Sequence, residues 1–169
     1  TFTTMMGTAL LVLAFAMPAS ATASWTPVTG LNASGSTTAQ APQFLSGSDG
    51  SLTAITVETV NSVYSVLARK SSDGGATWSA PVTLSATGIT SSDATVVLLN
   101  NGHFAVAWAE ASGASAVNQI RLISSSDNGA SWSTAQTIST ASGNAYAANK
   151  PHLAAFGAAD VAVGFQQSD

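Results

Sequence analysis

Ser71-Ser72-Asp73-Gly74-Gly75-Ala76-Thr77-Trp78 recurs further along the chain as Ser125-Ser126-Asp127-Asn128-Gly129-Ala130-Ser131-Trp132. Both copies obey Ser-x-Asp-x-Gly-x-(Ser/Thr)-Trp, and their tryptophans stand 54 residues apart. A period of this size, with β-type sequence between the copies, is the signature of a repeat architecture in which each unit is one propeller blade. The motif has a physical reading of its own. An Asp carboxylate accepts hydrogen bonds from backbone N–H groups just ahead of it and so fixes a tight turn, and a glycine two positions later admits a positive φ. The tryptophan that follows opens the next strand and buries a large ring, a contribution of about 2–3 kcal/mol or more. Ser71, Asp73, Gly75 and Trp78, with Ser125, Asp127, Gly129 and Trp132, are therefore read as structural residues.

Working outward, Ser24-Trp25-Thr26-Pro27-Val28-Thr29 parallels the stretches that begin at Thr77 and Ser131, so the tryptophans at 25, 78 and 132 are spaced by 53 and 54. A second ladder follows. Pro42, Ala94 and Pro151 each precede by ten residues the alternating runs that open at Leu52, Phe104 and Val161. Within the clearest repeat, Thr95 to Leu99 reads as a first strand and Asn100-Asn101-Gly102 as a two-residue hairpin turn. His103 to Ala109 is the returning strand. Glu110 to Asn118 is then a loop, Gln119 to Ser124 a third strand, and Trp132 to Ser139 a fourth. The expectation is an all-β fold of β-propeller blades, each of four antiparallel strands, with about two blades plus partial ones in residues 24–169.

Composition narrows the partners. Four Lys and Arg against eight Asp and Glu give a net charge of −4, and Arg69, Lys70, Arg121 and Lys150 cannot form a basic patch, so nucleic acid is not an expected partner. Cysteine is absent, which removes disulfides, thiol nucleophiles and Cys-zinc sites. The apolar run Ala9 to Met17, followed by Pro18 and the small-x-small triplet Ala21-Thr22-Ala23, reads as a secretory signal over residues 1–23 cleaved after Ala23. The run is too short to span a bilayer, which takes roughly 20 apolar residues. The expected location is outside the cell.

Ser71 to Trp78 and Ser125 to Trp132 resemble Asp boxes, the BNR repeats of the sialidase-like propeller superfamily, and with Trp25 the resemblance covers most of residues 24–169. It implies that the Asp box joins the third and fourth strands of a blade at the end of the propeller away from the active site. A sialidase of this kind has six blades. Its chemistry uses three arginines, an Asp, and a Tyr with a Glu partner. This chain has only Arg69 and Arg121, both in third strands away from the central axis, and the Phe/Tyr-Arg-Ile-Pro stretch of many sialidases has no counterpart.

Strand parity locates the opposite face. Antiparallel strands reverse direction in turn, so loops 1–2 and 3–4 of a blade share one end, while loops 2–3 and 4–1 share the other. The functional face is then expected on Glu58 to Ser62, Glu110 to Asn118, and the 4–1 loops Gly30 to Ala41, Ser85 to Asp93 and Thr140 to Lys150. Glu58, Asp93, Glu110, Tyr146 and Lys150 are the ligand-binding candidates, a polar ring suited to a hydrated ligand such as a sugar. His103 faces a hairpin turn and His152 opens a strand, neither with a partner at ligand spacing, so no metal and no cofactor is expected. The reading is a secreted sialidase-like module that binds a glycan or an extracellular protein and carries no complete catalytic set. The alternatives are the N-terminal part of an exo-α-sialidase or related glycoside hydrolase, and a structural extracellular scaffold.

Overall fold

The computed structural model describes residues 31, 42–112, 117–139 and 147–167. The signal-like segment 1–23, the front copy around Trp25 and the candidate Tyr146 lie outside the described residues. Ten strands follow in order: β1 (Gln43–Ser46), β2 (Leu52–Val60), β3 (Val63–Ser71), β4 (Val82–Thr83), β5 (Ser91–Leu98), β6 (Phe104–Ser112), β7 (Val117–Ser125), β8 (Gln136–Thr137), β9 (Ala148–Phe156) and β10 (Asp160–Gln167). They form two antiparallel four-stranded sheets, β1-β2-β3-β4 and β5-β6-β7-β8, and a pair, β9-β10. These are blades 1, 2 and the described part of blade 3.

Period-2 alternation decides how the sheets stack. Ile55 and Val57 of β2 face the same way as Val66 and Ala68 of β3, and they meet Val106, Trp108 and Ile123 from the near face of blade 2. The far face of blade 2 offers Ala107, Ala109 and Ile120, on which Leu153, Val163 and Phe165 of blade 3 pack. Both faces of β6 are thus buried, and Phe104 to Glu110 is buried without a break. Trp108 is the largest of the fully buried side chains, and about 2–3 kcal/mol of burial rests on that ring alone.

Both repeated turns close as their sequences require. In the first, the Ser71 hydroxyl donates to Asp73 Oδ1 at 2.8 Å and accepts the Gly75 N–H at 2.8 Å, while Asp73 Oδ1 accepts the Thr77 N–H at 2.9 Å. Ser125, Asp127, Gly129 and Ser131 repeat the set at 2.8 Å for each bond. Gly75 and Gly129 have φ of 94° and 80°, the left-handed region that a side chain resists.

Three strand expectations change. Asn101-Gly102 does not make a two-residue hairpin, because only Gly102 has positive φ (82°) and Gly102 N–H reaches Leu99 O at 2.9 Å. The loop is three residues long, a turn closed by a left-handed glycine. Gly47 to Ser51 repeats it in blade 1, with Gly50 at 79°. The first strand of blade 2 begins earlier than Thr95, at Ser91, with a bulge between Ser92 and Thr95. The fourth strand shrinks from Trp132–Ser139 to Gln136–Thr137. Hydroxyls replace main-chain acceptors on either side of it, since Ser124 N–H donates to Ser133 Oγ at 3.0 Å and Ile120 N–H to Ser139 Oγ at 2.9 Å. Blade 1 uses Ser79 and Ser85 in the same way, at 3.1 Å each.

Candidate functional site

The first strand of each blade, β1, β5 and β9, lies at the inner end of its sheet, with β5 against both β1 and β9. Gln43 joins two of them. Its Nε2 donates to Ala94 O at 2.7 Å and its Oε1 accepts the Val96 N–H at 3.2 Å, so one side-chain amide stands in for a peptide group between blades. Gln43 was not among the sequence candidates. The available signal was its place directly after Pro42 in the ladder, matched by Thr95 after Ala94 and His152 after Pro151.

Beside this clasp lies a cavity of about 410 Å³ lined by Gln43, Asp93, Ala94, Thr95, Lys150, Pro151 and His152. Asp93 and Lys150 hold equivalent places in their repeats, and both have left-handed backbones, φ 53° and 51°. Each lies at or beside a break in strand register, between Ser92 and Thr95 in one case and across from Gly164 and Gln166 in the other. A bulge re-aims the side chain that it carries, and a non-glycine residue at positive φ costs of order 1 kcal/mol unless its surroundings hold it there. The structure therefore brings two of the five candidates, one acidic and one basic, to a single opening, with His152 next to them. Both are exposed.

Glu58 and Glu110 are elsewhere, and their loop placement is corrected. Glu58 sits inside β2 opposite Ser65, and Glu110 inside β6 opposite Gln119. The strands run past them because Thr59, Val60 and Ala111 continue the pairing. Glu58 is fully buried and takes a forked ion pair from Arg69, with Nη1–Oε1 at 2.6 Å and Nη2–Oε2 at 3.1 Å, while the Thr56 hydroxyl donates to the same Oε1 at 2.6 Å. The planar guanidinium fork matches a carboxylate edge, which explains why this pair can be buried. Glu110 accepts from Trp108 Nε1 at 3.1 Å and from the Ala86 N–H at 2.9 Å, and Arg121 Nε lies 3.4 Å from its other oxygen. Ala86 belongs to the loop that leaves blade 1, so Glu110 ties one blade to the next.

Arg69 and Arg121 thus answer equivalent glutamates from non-equivalent places. Arg69 pairs across the sheet with Ala54 and reaches along β2 past Thr56, whereas Arg121 stands opposite Trp108, two residues from Glu110.

Asp73 and Asp127 lie at the other end with the β1–β2 turn, whose Ser48 N–H donates to Asn128 Oδ1 at 3.3 Å. The Thr77 hydroxyl and then its N–H hold the Asp73 carboxyl down at about 2, and Ser131 does the same for Asp127. Asp49 in the β1–β2 turn is also lowered to about 2, chiefly by the Ser51 hydroxyl. Among the described residues no three His, Asp or Glu side chains converge on a metal position, and no helix is long and apolar enough to cross a membrane.

No family model and no curated protein matches the chain. Among solved structures, a Hadza microbial sialidase, Hz136, matches over 59% of this chain with a TM-score of 0.52 and 21% identity. The fold is sialidase-like. The matched part is 26% of the length of that sialidase, and the likeness at this identity is one of architecture. What the likeness carries is the all-β architecture of antiparallel four-stranded sheets.

Proposed function

We propose that this chain is a secreted, sialidase-like BNR-repeat module that binds glycan through the opening between β5 and β9. One observation carries the reading: Asp93 and Lys150 are held by paired left-handed bulges so that both line the same cavity of about 410 Å³ beside Gln43 and His152. A carboxylate, an ammonium, an amide and an imidazole at one rim supply the mixed donors and acceptors that a polyhydroxylated ligand uses. The Ser-x-Asp-x-Gly-x-(Ser/Thr)-Trp turns are read as Asp boxes and the segment 1–23 as the export signal. Binding without hydrolysis is favoured over a catalytic role in these blades because both arginines are engaged by buried glutamates.

The test uses the mature chain on a glycan array, followed by titration calorimetry with the best sugar. Lys150→Gln and Asp93→Asn should each weaken binding about tenfold or more, with the unfolding midpoint unchanged, because both groups are exposed and Asn tolerates the left-handed backbone. Unaltered affinity in both variants would place any glycan site elsewhere. Release of a fluorogenic sialoside by the chain would support the hydrolase reading instead.

A further inference from the structure

Asn-Gly occurs twice in the chain, at Asn101-Gly102 and at Asn128-Gly129. The pair is chemically distinctive because glycine has no Cβ to keep its main-chain nitrogen away from the side-chain carbonyl of the asparagine before it. That nitrogen can attack the asparagine Cγ and close a five-membered ring. The fold decides which of the two pairs is free to do so.

The second pair is locked. Both oxygens of Asn128 are held by blade 1, for Oδ1 accepts the Ser48 N–H at 3.3 Å and the main-chain O accepts from Thr53 Oγ1 at 3.1 Å. Gly129 is buried, its N–H donates to Ser125 Oγ at 2.8 Å, and a Cβ built on it would fall 2.5 Å from Thr53 Oγ1. Ring closure at Asn128 would have to unseat the turn from blade 1.

The first pair is open. It belongs to the β5–β6 turn, Asn101 is exposed, and nothing lies within 4 Å of a Cβ built on Gly102, so a ring has room to form. The bonds at this pair stay within the turn: Gly102 N–H donates to Leu99 O at 2.9 Å, and His103 N–H donates to Asn101 Oδ1 at 3.0 Å. The first of these must break before the nitrogen reacts, which at an exposed turn needs only local opening. The second already aims a donor at the oxygen on which negative charge builds as Cγ is attacked. The same exposure holds in blade 1, where the equivalent pair is Asp49-Gly50, 52 positions earlier. There Asp49 keeps its side chain 48% exposed although the second Asp turn is seated beside it through Ser48 and Asn128.

The geometry points to Asn101 as a site of spontaneous covalent modification, deamidation of the folded chain through a cyclic imide with Gly102. The Gly102 nitrogen bonds to Asn101 Cγ, the Cγ–Nδ2 bond breaks, and Nδ2 leaves as ammonia with the proton that the Gly102 nitrogen gives up. Water then opens the imide. Cleavage between Cγ and the nitrogen leaves aspartate, the residue that blade 1 carries at Asp49. Cleavage at the main-chain carbonyl leaves isoaspartate, in which the backbone runs through Cβ and Cγ. Either product adds a negative charge to the turn. Isoaspartate also lengthens a turn whose neighbouring Asn100 Nδ2 donates to Gly157 O of blade 3 at 2.6 Å, so the modification falls beside a contact between blades.

The whole chain, held folded in mildly alkaline buffer, is sampled over time and digested for mass spectrometry, with isoaspartate read by isoaspartyl methyltransferase labelling. Asn101 should convert at least about tenfold faster than Asn128, and its peptide should take the methyl label. In urea the two rates should converge, because both pairs are then unprotected. An Asn101 that stays intact, or converts no faster than Asn128 in the folded chain, overturns the proposal. So does a gap between the two that persists undiminished in urea, which would assign it to the flanking residues and not to the fold.

Discussion

Gly75 and Gly129 occupy the same place in two nearly superimposable turns, and this makes a matched pair of substitutions informative. Alanine at either site must adopt positive φ, 94° in one turn and 80° in the other, a cost of about 1–2 kcal/mol. Their neighbours differ. A Cβ on Gly75 would meet Trp78 Cζ2 at 3.6 Å and Leu52 Cδ1 at 3.7 Å, ordinary contact distances. A Cβ on Gly129 would fall 2.5 Å from Thr53 Oγ1 and 3.0 Å from Thr53 Cγ2, on a strand of the preceding blade. Overpacking of this kind adds about 1–3 kcal/mol. Gly129→Ala should therefore cost about 2–5 kcal/mol and Gly75→Ala about 1–2 kcal/mol, measured by urea unfolding at constant m-value. Adding Thr53→Ala should recover part of the Gly129→Ala loss and none of the Gly75→Ala loss, because only the first pair is in contact. Equal costs at the two glycines, with no coupling to Thr53, would refute the close seating of the second turn on blade 1.

Two further outcomes follow from the charged groups. Arg69→Met should destabilise by about 3–5 kcal/mol by stranding buried Glu58, and Arg69→Met combined with Glu58→Gln should cost less than the sum of the single changes; strict additivity in denaturant titrations would show that the two side chains do not form a pair. Asp49, Asp73 and Asp127 have folded-state values near 2, below their unfolded ones near 3.8. The stability they contribute is complete above about pH 4 and is lost as pH falls from there through 2. Thermal midpoints in Asp73→Asn and Asp127→Asn should lose part of that acid limb, and a limb identical to that of the parent chain would show that the turns do not hold these carboxylates ionised.

The blades were legible because their signals are local. Ser71 to Trp78 and Ser125 to Trp132 contain the turn chemistry in full, and the ladder Pro42, Ala94, Pro151 set the register of the inner strands. Parity placed Asp93 and Lys150 at the end of the blades opposite the Asp turns, and the strand order has them there. What linear reading could not supply was depth. A glutamate that ends an alternating apolar run reads as the start of a loop, and this is the reading that Glu58 and Glu110 invite. Their burial depends on Arg69 and Arg121, eleven residues further along in each case and visible as partners only once the hairpin is folded. Gln43 was missed for the same reason, since its role is set by Ala94 and Val96 on another blade.

The hydrogen bonds inside each Asp turn join residues no more than four apart, Ser71 to Gly75 and Asp73 to Thr77 in the first and the same offsets in the second. Contacts this short close almost no loop and add almost nothing to contact order, so the chain gives up little entropy in making them. Blade docking has the opposite character, because Thr53 meets Asn128 across 75 positions and Gln43 meets Val96 across 53. The repeat thus divides the work of folding in two. Each turn is a cheap, self-contained hinge between strands, and the entropic expense of assembly is concentrated in a few long-range clasps between neighbouring blades.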